Sequence, residues 1–175
     1  IGLAAFATIG ILAAADYTRF QHIQMSKLEI VDEQGKVVIG LSANAAGGQL
    51  DVWNAASRNV IRLSANDHGG DFALWNNSGE SVVGAWASPE GGVMATWNAK
   101  GKRATRLDSA QGRGRFSLHA GTTERAVELL SSEHGGAMST YYDTGKLSLQ
   151  MQPHASGMSL EFAAEGDNTT SPRFE

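Results

Sequence analysis

Residues 50–71 read LDVWNAASRNVIRLSANDHGGD, and residues 72–93 read FALWNNSGESVVGAWASPEGGV. The same 22-residue frame extends both ways from this pair: LEIVDEQGKVVIGLSANAAGGQ before it, then MATWNAKGKRATRLDSAQGRGR, FSLHAGTTERAVELLSSEHGGA and MSTYYDTGKLSLQMQPHASGMS after it. A seventh copy begins at Leu160 with LEFAAEG and stops. One column holds Leu28, Leu50, Phe72, Met94, Phe116, Met138 and Leu160; another holds Leu41, Leu63, Ala85, Leu107, Leu129 and Met151. Self-similarity at a fixed period of this size is the signature of a repeat architecture.

Each copy carries two short stretches of period two. Leu50 and Val52 alternate with Asp51 and Trp53, and Ile61 and Leu63 alternate with Val60 and Arg62, the pattern of strands with one apolar face. The first strand runs into an Asp/Asn-x-x-Gly turn (Asp32 to Gly35, Asn76 to Gly79, Asn98 to Gly101) and the second into a Gly-Gly corner. The fold class is therefore all-β. Two arrangements satisfy two strands and two turns per copy: a two-strand-per-coil β-solenoid of six to seven repeats, with equivalent strands stacked in parallel, or an antiparallel β-meander of hairpins. The unslipping period favours the solenoid, as does the strand total, since about twelve strands exceed what an open twisted sheet usually holds. A third argument is the column Lys36, Arg58, Glu80, Lys102, Glu124, Lys146, whose charges alternate in sign from Arg58 onward and would attract at a spacing of about 4.8 Å.

The Val31–Lys36 turn resembles the apolar-Asp-x-x-Gly-Lys turn of the short-coil β-solenoid proteins of bacterial envelopes. The resemblance spans residues 28 to 160 and is architectural. It implies a location outside the cytoplasm and a display or scaffolding role, with no activity attached.

The sharpest feature within the repeats is the column Val31, Trp53, Trp75, Trp97, His119, Tyr141, Ala163. It has the opposite parity to Leu50, Val52, Phe72 and Leu74, so its rings face away from the apolar side. Trp53, Trp75, Trp97 and Tyr141 form a candidate partner-binding strip, with stacking between rings one coil apart as the structural reading of the same column. Trp86, on the other strand of its copy, is a separate candidate contact. Asn54, Asn76 and Asn98 beside the tryptophans suit a stacked amide ladder at the turn. Arg62 and Arg106 occupy outer strand positions suited to acidic lipid, a protein carboxylate or plain solvent.

Composition sets outer limits. The chain has 175 residues, enough for one domain with a sizeable core, and 21 of them are glycine. The absence of cysteine excludes a disulfide framework, a thiolate zinc site and a cysteine nucleophile. A net charge of −4, from 14 basic and 18 acidic side chains, argues against a nucleic-acid partner. No catalytic constellation, cofactor motif or metal-ligand spacing stands out, which points away from an enzyme.

The chain starts with an apolar run, IGLAAFATIGILAAA (residues 1–15), whose only polar side chain is Thr8. As a helix it would reach about 22 Å, short of the roughly 30 Å of bilayer hydrocarbon, so a transmembrane helix here requires further apolar residues ahead of Ile1. Its membrane-contacting residues would be Ile1, Leu3, Phe6, Ile9, Ile11 and Leu12, with Tyr17 and Phe20 at the headgroups of an interfacial stalk spanning residues 16–27. An assembly helix buried in a filament, or a soluble core helix, is the competing reading. Residues 28–165 form the repeat domain and 166–175 a polar tail or cap.

Together these features predict a non-catalytic, membrane-anchored accessory or scaffold subunit of a larger membrane complex, photosynthetic or respiratory for example. Its repeat domain would lie in the periplasm or at the cell surface, and its partners would be membrane lipid and other protein subunits. A subunit of an extracellular filament or tube is the alternative, and a polysaccharide-binding module the third reading.

Overall fold

The computed structural model describes residues 24–121 and 124–163. The apolar run of residues 1–15, with Ile1, Leu3, Phe6, Ile9, Ile11 and Leu12, lies outside the described residues, as do Tyr17, Phe20 and the tail 166–175. Among the described residues there is no helix.

Thirteen strands follow one another: β1 Lys27–Val31, β2 Val37–Asn44, β3 Gly47–Trp53, β4 Asn59–Asn66, β5 Gly69–Trp75, β6 Ser81–Ser88, β7 Gly91–Trp97, β8 Arg103–Ala110, β9 Arg113–His119, β10 Arg125–Ser132, β11 Gly135–Tyr141, β12 Leu147–His154 and β13 Gly157–Phe162. They form one sheet in strictly sequential order, each strand antiparallel to the next. The fold is thus the meander, and the expected solenoid is overturned: equivalent strands of successive copies lie two places apart with another strand between them, and no parallel ladder exists among the described residues. The repeating unit is a hairpin, and sheets of this kind demand an unvarying period as strongly as stacked coils do. A slip of one residue would transfer every side chain of a strand to the wrong face.

Two hairpin chemistries alternate. At one edge a type I turn closes on a residue of positive φ, the three-residue hairpin loop with its bulge. In the first, Gly35 N–H donates to the Asp32 carbonyl (3.0 Å), Asp32 N–H donates to the Lys36 carbonyl (2.9 Å), and Gly35 has φ 78°. The Asp32 carboxylate accepts from the Gln34 and Lys36 amides, and the Asn54, Asn76 and Asn98 side chains do the same two and four residues ahead of themselves. These asparagines cap their own turns. Among the described residues no hydrogen bond links these three to one another as an amide ladder; Asn54 Nδ2 instead donates to Oδ1 of Asn77, outside their column, at 3.0 Å.

At the opposite edge the loops have two residues, as in Asn44-Ala45-Ala46-Gly47. Here the first residue after the loop is a glycine at φ 127–154° in all but one hairpin. The exception explains itself. Arg113 occupies that place between β8 and β9, and the positive φ moves into the loop, to Gln111 (54°) and Gly112 (74°). Both central residues with positive φ is the type I′ geometry that matches strand twist without help.

Registration across all thirteen strands creates two faces. On one, Leu28, Leu41, Leu50, Leu63, Phe72 and Ala85 stand side by side, and the row continues through Met94 and Leu107 to Leu160. A second row two residues along runs Ile30, Ile39, Val52, Ile61, Leu74, Val83 and on to Phe162. On the other face the central row is Glu29, Gly40, Asp51, Arg62, Ala73, Gly84, Ala95, Arg106, Ser117, Glu128.

Candidate functional site

The burial of these faces is inverted. Of the twelve large hydrophobic side chains that remain exposed, ten stand on the apolar face: Leu28, Ile30, Leu41, Leu63, Met94, Leu107, Leu118, Leu129, Met158 and Phe162. Leu63 is 47% exposed and Leu107 52%. Every buried position among the described residues (Gly40, Asp51, Gly84, Val93, Ala95, Asp108, Ser117 and Ser139) belongs to the polar face. The packed side of this sheet is its polar one, and the side built like a core is open.

Long side chains lying flat produce this. Each aromatic residue of the Trp column ends an odd-numbered strand and lies diagonally across the central residue of the strand before it, the pairing reach of a large side chain in an antiparallel sheet. The Trp53 ring covers Gly40 so closely that a Cβ there would meet Cη2 at 2.9 Å. Trp97 covers Gly84 in the same way, at 3.2 Å. Where the central residue is arginine, the ring accepts a cation instead: the Arg62 guanidinium lies 5.9 Å from the Trp75 ring centroid. Tyr141 lies under Arg125, 5.6 Å away, with its hydroxyl 3.5 Å from Glu128.

The polar face that Trp53, Trp75, Trp97 and Tyr141 share is therefore the one expected, but the rings do not stack on each other from copy to copy. Successive members of the column are two strands apart, and each is seated on the strand in between. Among the described residues the aromatic pair that does stack is Trp86 with Trp97, centroids 6.4 Å apart and planes at 24°. The structure joins Trp86, expected as a separate contact on the other strand of its copy, to Trp97 of the column.

Two buried carboxylates complete the polar face. Asp108 receives Arg115 through two hydrogen bonds (Nε to Oδ1 2.9 Å, Nη2 to Oδ2 2.7 Å) and Arg106 through a third (2.6 Å). Arg115 holds the Asp108 carboxyl below the usual carboxylate range, against the upward push of burial, with Arg106 adding to the effect. Asp51 is desolvated too, yet hydrogen bonds from Gln49, Arg62 and Asn59 outweigh that cost and hold its carboxyl low as well. Arg62 and Arg106, read as outward-facing, are thus engaged with these carboxylates. The acidic group beside the tryptophans, Asp51, accepts from Gln49 at Oδ2 and from Asn59 and Arg62 at Oδ1. Among the described residues no group of three His, Asp or Glu side chains converges to hold a metal ion.

The apolar face carries the concavities. A trough of about 890 Å³ is walled by Leu41, Leu50, Leu63 and Phe72 over a floor of Gly48, Ala65, Gly70, Ala87 and Gly92. A second, of about 470 Å³, repeats the arrangement with Leu107, Phe116, Leu129 and Met138 over Gly114, Ser131 and Gly136. The parity that makes this face apolar is legible in the sequence; its exposure is not. No protein-family model and no curated protein sequence matches the chain.

Proposed function

We propose that the chain is a non-catalytic scaffold subunit of a larger, membrane-linked assembly outside the cytoplasm, tethered through its apolar first residues and built into that assembly through the apolar face of its sheet. The observation that supports this reading is the inversion of burial: a single layer leaves a row of leucines, isoleucines and methionines open along its whole length. Domains are stabilised by at least two layers packed on one another, and an exposed apolar patch of this extent marks a surface that something covers. The Trp–Arg–Asp lattice of the opposite face keeps that layer rigid and presents polar contacts to other subunits. Extraction from its source membrane in mild detergent should yield the chain with other protein subunits at fixed stoichiometry. Recovery of the chain with no such companion would refute the reading.

A filament subunit is the second reading. Every residue of β1, one open edge of the sheet, is exposed. Unpaired edges can join head to tail without closing, which makes fibres. Growth of scattering without limit as concentration rises would select this reading.

A further inference from the structure

From the same apolar face, and resting on the reading just given, we infer that the occupant is a second copy of this chain, packed face to face as a two-fold sandwich. Three features of the face carry the inference.

The first is area. Thirteen strands span roughly 58 Å at about 4.8 Å each, and three rows of side chains are roughly 18 Å wide. Two such faces in full overlap would remove about 2,000 Å² from solvent, and an overlap of two of the three rows still buries roughly the 1,300 Å² of a stable complex.

The second is chemistry. None of the positions in the Leu28–Leu160 row, the Ile30–Phe162 row or the small-residue row beside them is charged, and none is Trp or Tyr. All four tryptophans lie on the other face. A sheet face resting on a bilayer would be expected to carry aromatic anchors at its margins. Aliphatic side chains with Phe, Met, Ala and Gly, and among them the uncharged hydroxyls of Thr96, Thr105, Thr140, Ser109 and Ser131, suit instead the interior of a β-sandwich, where inner faces interdigitate about 10 Å apart.

The third is shape. From Leu41 to Met138, each large residue of the leucine row has a small one two positions toward the two-residue loops: Leu63 beside Ala65, Phe72 beside Gly70, Met94 beside Gly92, Leu107 beside Ser109. Ridge and furrow run in parallel across the sheet. A two-fold axis between them and parallel to them sets the ridge of each copy into the furrow of the other, so that Leu63 of one meets Ala65 of the second. An isologous interface requires this self-complementarity. The furrow glycines have no other explanation in the single chain. Gly48, Gly70, Gly92 and Gly136 lack a positive φ, and a Cβ added to any of them would meet nothing within 4 Å. Glycine weakens a strand, and within one it often marks close approach of another backbone.

The test uses the full chain, purified alone in mild detergent, with its molecular mass measured by sedimentation and by light scattering corrected for detergent. The expected result is two chains of 18.5 kDa per particle. Two variants probe the interface: Gly70→Val with Gly92→Val fills the furrow, and Leu63→Glu with Leu107→Glu charges the ridge. Both should keep the wild-type strand signal in circular dichroism, because the altered side chains point into open space in the single chain. Both should weaken self-association at least ~100-fold. A wild-type particle of one chain, whether its face is then covered by the chain's own first residues or by neutral phosphatidylcholine vesicles, overturns the inference. So do two-chain particles in both variants. The scaffold reading is decided separately, by whether other subunits accompany the chain from its membrane.

Discussion

Replacing Gly40 with alanine tests the arrangement of the polar face at a single atom. Gly40 lies inside β2 without a positive φ, so alanine is acceptable to the backbone. Its new Cβ, however, would stand 2.9 Å from Cη2 and 3.0 Å from Cζ3 of Trp53. Van der Waals separation needs about 3.7 Å, so the ring must slide or swing off the sheet. Swinging off would expose on the order of 80 Å² of ring, worth about 2 kcal/mol at roughly 25 cal/mol per Å², and sliding would cost less. The expected loss in Gly40→Ala is therefore about 1–2 kcal/mol, read from urea unfolding followed by far-ultraviolet circular dichroism. In a Trp53→Val background the obstacle is gone, and the same substitution should stabilise by about 0.5 kcal/mol, because alanine loses less backbone entropy than glycine in a strand. The sign reversal distinguishes a ring seated on Gly40 from a general intolerance of alanine at that site. Additive effects in the double variant, within about 0.3 kcal/mol, would refute the seating and with it the antiparallel register that brings residues 40 and 53 together.

Asp108→Asn removes the anion that Arg106 and Arg115 share and should cost about 2–4 kcal/mol in the same unfolding assay. The carboxyls of Asp108 and Asp51 titrate lower in the folded chain than when unfolded, so their contribution is complete above the unfolded pKa of about 3.9 and is lost as pH falls through the lower folded values; a urea midpoint that stays flat from pH 5 down to pH 2 would contradict this. Asn76→Ala leaves the Ser78 and Glu80 amides without the side-chain oxygen that accepts from both, for an expected loss of about 1 kcal/mol at equilibrium, while Asn76→Asp keeps that acceptor but exchanges the Nδ2 donation to the Glu80 carboxylate for repulsion and should recover only part of the loss. Gly112→Ala should destabilise by about 1 kcal/mol because φ is 74° there, and Gly112→Asn should be milder, measured as shifts in thermal midpoint.

The repeat, the strands and their parity were all readable in the residues, because period two and period 22 are properties of composition along a line. The connectivity between strands was not, and the reason lies in two columns of similar character. A solenoid would have set Leu28 beside Leu50; the meander sets Leu41 between them. Both give an unbroken apolar row, so hydrophobic pattern cannot separate them. The alternating charges at Lys36, Arg58, Glu80 and beyond misled for a related reason. These residues border turns at one edge of the sheet, two strands apart, yet their side chains are long enough to span that distance. Lys36 reaches the Ala55 carbonyl of the next turn. A decisive signal is present in complementary pairs that flank a turn. Asp51 and Arg62 flank the Asn54–Arg58 loop, and Asp108 and Arg115 flank the Gln111–Gly112 loop, positions that face each other only across a hairpin.

Why the sheet remains a single open layer follows from the same lattice. Closing or folding a long sheet is usually driven by burying its apolar face upon itself, which needs glycines or bulges that bend strands sharply in their middles. Here the pairing irregularities sit at strand ends, beside the wider loops, as at Ile30/Val31, Val52/Trp53 and Leu74/Trp75, and the mid-strand glycines Gly40 and Gly84 are covered by the Trp53 and Trp97 rings. The strand middles are crossed on the polar side by Trp, Arg and Asp side chains that bridge neighbouring strands. Bending the sheet to enclose its apolar face would stretch the polar side and pull Trp53 from Gly40, Arg62 from Asp51, and Arg115 from Asp108. The polar face acts as a stiff backing that keeps the apolar face open, and a face held open in this way can be completed only by a second surface brought to it.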